Sequence, residues 1–150
     1  MTGDTDDASA TLSRANATEM LKHDAFSRWL GVEMISLRSG HCTLRMRVRE
    51  DMLNGFGVSH GGIAFSLADS AMAFACNTGT YVTVAVDNSI SFPRAVRAGD
   101  ELVAEAVEET TTNRLAFYRV TVRRRDHVVV ALFRGTVYRT TQQHPQASHA

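Results

Sequence analysis

The sequence predicts an α+β domain in which an antiparallel sheet wraps around one long central helix. Three observations carry that expectation. The run from Gly61 to Thr78 is apolar on every side, and its Ala, Leu, Met and Phe content favours helix. Segments with strand character lie on both sides of it, two before and four after. The connections between the later segments are short, which favours antiparallel neighbours.

Taken in order, residues 1–17 are polar and small and read as a disordered tail. Residues 18–30 bring Met20, Leu21, Ala25, Trp29 and Leu30 to roughly one helical face, with Gly31 as the stop. A moderate strand follows from Val32 to Arg38, then a turn at Ser39-Gly40. In the next run Cys42, Leu44, Met46 and Val48 alternate with Thr43, Arg45, Arg47 and Arg49, the period of two of a half-buried strand. Residues 50–60 carry two glycines and an asparagine and read as a loop into the apolar helix. The remaining strands are expected at 80–92, 100–110, 113–124 and 128–140. The last residues, 141–150, read as a second disordered tail, so the folded domain is expected to span 18–140.

The composition excludes several function classes. Lys plus Arg and Asp plus Glu both total 16, so no nucleic acid or membrane-surface partner is expected, and an anionic ligand must meet a local patch. Cys42 and Cys76 lack metal-ligand spacing. Both are expected reduced and buried, and no metal site is expected. The first residues lack the basic start and apolar stretch of a signal peptide, and no run reaches the ~18 apolar residues of a membrane span. The expected compartment is the cytoplasm.

Asp69 is the sharpest anomaly, since it is the only charged residue between Gly61 and Thr78. An isolated carboxylate among hydrocarbon side chains costs several kcal/mol unless it is paired, hydrogen-bonded or neutralised. On position alone, a wet edge or a buried ion pair explains it as well as catalysis does. Ahead of the helix, Gly61 and Gly62 present free N–H groups at the positive end of the dipole, suited to a developing oxyanion; close packing at the loop junction is the plainer explanation. Gly61 and Asp69 are eight residues apart, or ~12 Å along a helix axis. If both act on one carbonyl, Asp69 must meet the Gly61 of a second copy, which implies a homodimer with two shared sites.

The run LNGFGVSHGGIAFSLADSAMAFACNT from Leu53 to Thr78 resembles the PaaI-type (phenylacetate-degradation) thioesterases of the hotdog superfamily. The pattern they share is Asn-Gly-x-Gly-x-x-His-Gly-Gly, then Asp on the helix, then Ala-Cys-Asn at its end. The similarity continues in ISFPRAVRAGDEL and in ALFRG at 131–135. The resemblance implies a hotdog fold and hydrolysis of a small, aromatic acyl-CoA, phenylacetyl-CoA or hydroxyphenylacetyl-CoA, with CoA as part of the substrate and no separate cofactor.

It also implies roles. Asp69 would be general base or nucleophile, and Gly61 would donate its N–H to the carbonyl. Asn54 and His60 would orient water, the thioester or the loop, and Ser70 would support the reaction beside Asp69. Arg94 and Arg114 rank highest for the CoA phosphates, ahead of Arg97 and the run Arg123 to Arg125. Homotetramers built from pairs of dimers are implied. Two positions depart from the pattern: Ala85 stands where relatives acting on long-chain acyl-CoA carry Ser, and Pro93 precedes Arg94 where relatives place it after.

Competing readings remain. No G-x-S-x-G elbow supports Ser66 or Ser70 as a nucleophile. A hotdog dehydratase or hydratase would use an Asp and a His about five residues apart on the helix and its lead-in, and no His follows Asp69 within the helix, which argues against it. A non-catalytic acyl-CoA-binding protein and a medium- or long-chain thioesterase stay as alternatives.

Overall fold

Cys42, Leu44, Met46 and Val48 are all 2% exposed or less, as their alternation requires. In the computed structural model, which describes residues 3–149, they mark the inner face of β2 (His41–Arg47) and the residue just past it. The other strands are β1 (Glu33–Arg38), β3 (Tyr81–Ser91), β4 (Glu101–Thr111), β5 (Leu115–Arg124) and β6 (Val129–Gln143). All neighbours are antiparallel, in the order β1-β2-β4-β5-β6-β3. The sheet therefore has two edges, β1 and β3.

The central helix α3 (Gly61–Cys76) packs against every strand. Leu67, Ala68, Ala71, Met72, Phe74 and Ala75 are almost fully buried against inward residues such as Leu102, Val120 and Phe133. The enclosure has one gap. Gly62, Ser66, Asp69, Ala73 and Cys76 are not buried, and their spacings of three and four place them on one stripe of the helix. The expectation of a helix covered on all sides is thus met except along the stripe that holds Asp69.

The N-terminal segment corrects two expectations. Helix α1 spans Gly3–His23, where a disordered tail was expected to residue 17. Up to residue 16 its anchor is polar rather than apolar, which is why hydropathy misses that part, while Ala17, Met20 and Leu21 pack on the core. Ser13 Oγ donates to the Thr78 carbonyl at 2.9 Å, and Asn16 Nδ2 donates to the Asn77 and Gly79 carbonyls at 3.0 and 2.9 Å. These carbonyls lie at the end of α3, where a helix runs out of internal donors. Then Asp24 breaks the expected single helix by capping α2 (Ala25–Leu30), its carboxylate accepting from Ser27 N and Ser27 Oγ. The break resets the helical phase, so Leu30 is buried while Ala25 and Trp29, expected on the same face, remain exposed. Gly31 ends α2 with φ 76°, the left-handed stop that glycine adopts without a Cβ clash.

The C-terminal boundary also moves. β6 runs to Gln143, past the expected limit of 140, and a 3-10 turn (Pro145–His149) follows. His144 is buried and bonds Asn77 Oδ1 at 2.9 Å, which ties this end to the foot of α3. Residues 1, 2 and 150 of the two expected tails lie outside the described residues.

Replacing Asn16 tests the polar anchor. Asn16→Ala leaves two carbonyls without a donor and is expected to lower unfolding free energy by about 1–3 kcal/mol, read as a lower urea midpoint at unchanged slope.

Candidate active site

Asp69 sits in the middle of the uncovered stripe of α3, and its carboxyl is half-buried. It borders a cavity of about 330 Å³ whose walls are largely apolar, among them Met20, Met72, Ala73, Val84 and Val137. Ala85 lines the same cavity. Burial pushes the Asp69 pKa above the usual carboxylate range, and a hydrogen bond from Asn88 Nδ2 at 3.0 Å pulls it partly back. No Arg or Lys pairs with Asp69 among the described residues, so the ion-pair explanation of this carboxylate does not hold here.

The entrance to α3 is built by the loop before it. His60 is the N-cap, and its Nδ1 accepts from Gly62 N at 2.9 Å. This acceptor role leaves the ring hydrogen on Nε2, which points away from the cap. Gly61 N–H has no acceptor among the described residues, as expected for the first turn of a helix. A Cβ at position 61 would stand 3.1 Å from the Phe92 ring, so glycine lets that ring close over the helix start.

Asn54 folds the loop: its Oδ1 accepts from Phe56 N at 2.9 Å and Val58 N at 3.4 Å, while its backbone N–H donates to the Val58 carbonyl at 2.7 Å. Its Nδ2 has no acceptor among the described residues. Asn54, His60 and Gly61 thus form one group at the entrance, and Asp69 lies two helical turns away, ~12 Å along the axis.

Ser70 belongs to neither group. It is buried on the face of α3 that flanks the stripe, its Oγ 3.0 Å from Ser27 Oγ, which in turn donates to Asp24. Consecutive helical residues diverge by about 100°, so the neighbour of Asp69 holds α2 onto α3 instead of facing the cavity. In this chain the hydroxyl expected to support the reaction is engaged with Ser27 and makes no hydrogen bond to Asp69 among the described residues.

Arg94 and Arg114 are exposed, and neither guanidinium meets a carboxylate among the described residues; they bond the carbonyls of Pro93 and Arg139. Arg123 and Arg124 are engaged with Glu105 and Asp126. Arg94 follows one end of β3, while Arg114 borders a groove with Tyr81 at the other. Across the 11 residues of β3 that is ~35 Å, too far for one ligand to touch both within a single chain.

Cys42 is buried, whereas Cys76 borders the cavity rather than lying wholly inside. Burial pushes both thiols up to about 12, so neither is a nucleophile at neutral pH. Met46 and Phe74 are core, and Met34 and Phe65 pack against it. No helix of the described residues is long and apolar enough to cross a membrane.

A six-stranded antiparallel sheet curled around one helix, with a carboxylate on the helix and a free amide at its start, is a hotdog-fold thioester hydrolase. Residues 56–131 match the family model described as the thioesterase superfamily. The chain is 39% identical to acyl-coenzyme A thioesterase PaaI of Escherichia coli, over 83% of this chain and 89% of that protein. The solved structure of the E. coli PaaI protein from the phenylacetic acid degradation operon superposes with a TM-score of 0.86, covering 89% of this chain and 97% of that one. A mutant of phenylacetic acid degradation protein PaaI from Thermus thermophilus superposes with a TM-score of 0.74 at 40% identity, covering 78% of this chain and 100% of that one. The chain belongs to the thioesterase superfamily.

The raised pKa makes a stability prediction. A carboxyl whose folded pKa exceeds its unfolded value contributes most while protonated and loses that contribution as pH rises through the folded pKa. Asp69→Asn, which never ionises, should therefore raise Tm at pH 7 by about 1–3 °C. Calorimetry should show the gain vanish as pH falls below the carboxylate range.

Proposed function

We propose that the chain is an acyl-CoA thioesterase that hydrolyses a small aromatic acyl-CoA, phenylacetyl-CoA or hydroxyphenylacetyl-CoA, to the free acid and CoA. The carrying observation is a half-buried carboxylate with no cationic partner among the described residues, at the wall of an apolar cavity. The aromatic acyl group follows from the likeness to proteins named for phenylacetic acid degradation and from a cavity at the size of small-ligand sites.

In this reading the acyl group enters the cavity and its thioester carbonyl stops at Asp69. The ionised carboxylate either takes a proton from an attacking water or attacks the carbonyl itself; a tetrahedral oxyanion forms either way. That oxyanion needs donors in fixed positions. The Gly61 amide supplies one, His60 Nε2–H and Asn54 Nδ2 lie on the same entrance, and all three are too far from the Asp69 of their own chain. A second copy brings them together.

The free edge of β3 is the natural seam for that copy. Val84 and Val86 are 46% and 58% exposed on this strand, and Phe56 in the entrance loop is 92% exposed, the kind of apolar surface that a partner covers. Antiparallel pairing of two β3 edges extends the sheet and carries the Arg94 end of one copy toward the Arg114 end of the other. Those two arginines then hold the CoA phosphates together, each from a different subunit. The homodimer is the catalytic unit, and pairs of dimers form a homotetramer. CoA leaves as product, no further cofactor is required, and the cytoplasm, where acyl-CoA is made and used, is the compartment proposed.

Two experiments test this. Thiol release from phenylacetyl-CoA, hydroxyphenylacetyl-CoA and straight-chain acyl-CoAs should be fastest with the aromatic pair, and Asp69→Ala should lower kcat by about 10³-fold or more while the oligomer persists in gel filtration. Undiminished turnover would remove Asp69 from the chemistry, and preference for straight chains would overturn the substrate assignment. Co-expressing Asp69→Ala with His60→Ala chains tests the shared site. The mixed dimer rebuilds one complete site from two and should recover roughly half of wild-type activity, whereas sites contained within single chains would stay dead in both subunits.

A further inference from the structure

Sheet geometry brings one more polar side chain to Asp69. In the first part of β3 the inward residues are odd-numbered: Thr83 is buried, and Ala85 pairs with Val137, an inward residue of β6. The register then shifts between Ala85 and Asp87, so that Asn88 faces Gly135 and Ile90 faces buried Phe133. A bulge of this kind adds one residue to one strand and reverses which side chains point inward beyond it. Without it Asp87 would face α3. With it, Asp87 is exposed and Asn88 Nδ2 donates to Asp69 Oδ1 at 3.0 Å.

The opposite strand is shaped to receive this side chain. A Cβ on Gly135 would lie 2.1 Å from Met72 Sδ and 2.9 Å from Asn88 Oδ1, so a side chain there would have to displace one or both, and glycine leaves them in place. Asn88 Oδ1 is buried without a partner, a cost of the kind that native interiors seldom carry without reason. The amide gives up that bond and keeps the one to the carboxylate. Asn88 does not line the acyl cavity; it stands behind Asp69.

We propose that Asn88 is the positioning residue of Asp69: its amide fixes the carboxylate's direction toward the cavity and favours the ionised form that the reaction consumes. This rests on the catalytic reading of Asp69 given above. The other titratable groups on the cavity are Cys76 of α3 itself and His144 after β6; α1, β3 and β6 contribute only uncharged side chains to its wall. Burial holds Cys76 protonated and keeps His144 neutral to lower pH than usual. Among the described residues Asn88 is therefore the one group whose hydrogen bond favours the Asp69 anion.

The test pairs kinetics with a direct titration. Asn88→Leu keeps the size and removes the donor. It should lower kcat by about 10–100-fold with KM within about twofold, and it should move the acid limb of the kcat profile up by about one pH unit. The Asp69 carboxyl resonance, assigned by its absence in Asp69→Asn and followed by 13C NMR, should show the same upward shift without any substrate. Asn88→Asp, isosteric with the native residue, places two carboxylates together and should move the limb further up. A folded Asn88→Leu with an unmoved Asp69 titration and kcat within about twofold of wild type overturns the inference. Should Asn88→Leu fail to fold, an Asn88→Asp enzyme with wild-type kcat and acid limb overturns it equally. If instead Asp69→Asn stays active, the catalytic reading falls, while the carboxyl titration still decides whether Asn88 governs Asp69.

Discussion

A carboxylate has to be kept in a half-dry, hydrocarbon-lined place without a cation to neutralise it. A paired Asp69 would be a static ion pair with a depressed pKa and little reactivity; a fully wet one would have an ordinary pKa and an ordinary solvation shell. The fold avoids both by leaving one stripe of α3 uncovered and placing an amide, Asn88, against the carboxyl. Desolvation and one neutral hydrogen bond act in opposite directions, and desolvation is the larger. Much of the surrounding architecture can be understood as the means of holding that balance.

The helix is anchored at both ends and along its back. At its start, the His60 ring caps Gly62 and leaves the Gly61 amide free. At its foot, Asn77 exchanges hydrogen bonds with Thr83 and His144, while Ser13 and Asn16 of α1 take up neighbouring carbonyls. Along its back, Ser70 meets Ser27 of α2. These contacts are polar and directional, so they fix rotation and height as well as burial. A helix held in that way fixes the position of Asp69, which the proposed attack on a thioester carbonyl would demand.

The same arrangement is the reason for proposing a site shared between two chains. A helix long enough to be wrapped by a sheet carries its amide-rich start and its mid-helix carboxylate too far apart to meet on one atom. The strand that would cover the open stripe is absent from the chain's own sheet, and β3 presents an unpaired edge with apolar side chains. In the proposed homodimer, assembly and catalysis would be linked through one surface, since a contact that buries Val84 and Val86 would also bring the two halves of the site together.

Sequence alone determined what depends on local pattern. The period of two in β2, the apolar run of α3, the Gly31 stop and the group Asn54, His60, Gly61 were legible because each is written in neighbouring residues whose side chains alternate or cap. The lone Asp69 was legible for the same reason, as a charge that its neighbours cannot explain. Tertiary structure decided the rest. The α1 anchor was hidden because polar side chains bonding distant carbonyls leave no hydrophobic signal, and the contact of Ser70 with Ser27 was hidden because the two residues are brought together only by the packing of α2 on α3. Asn88 could not be found in the sequence at all: only the pairing of β3 with β6 reveals the extra residue that turns it inward, and strand register is set by partners far away in the chain.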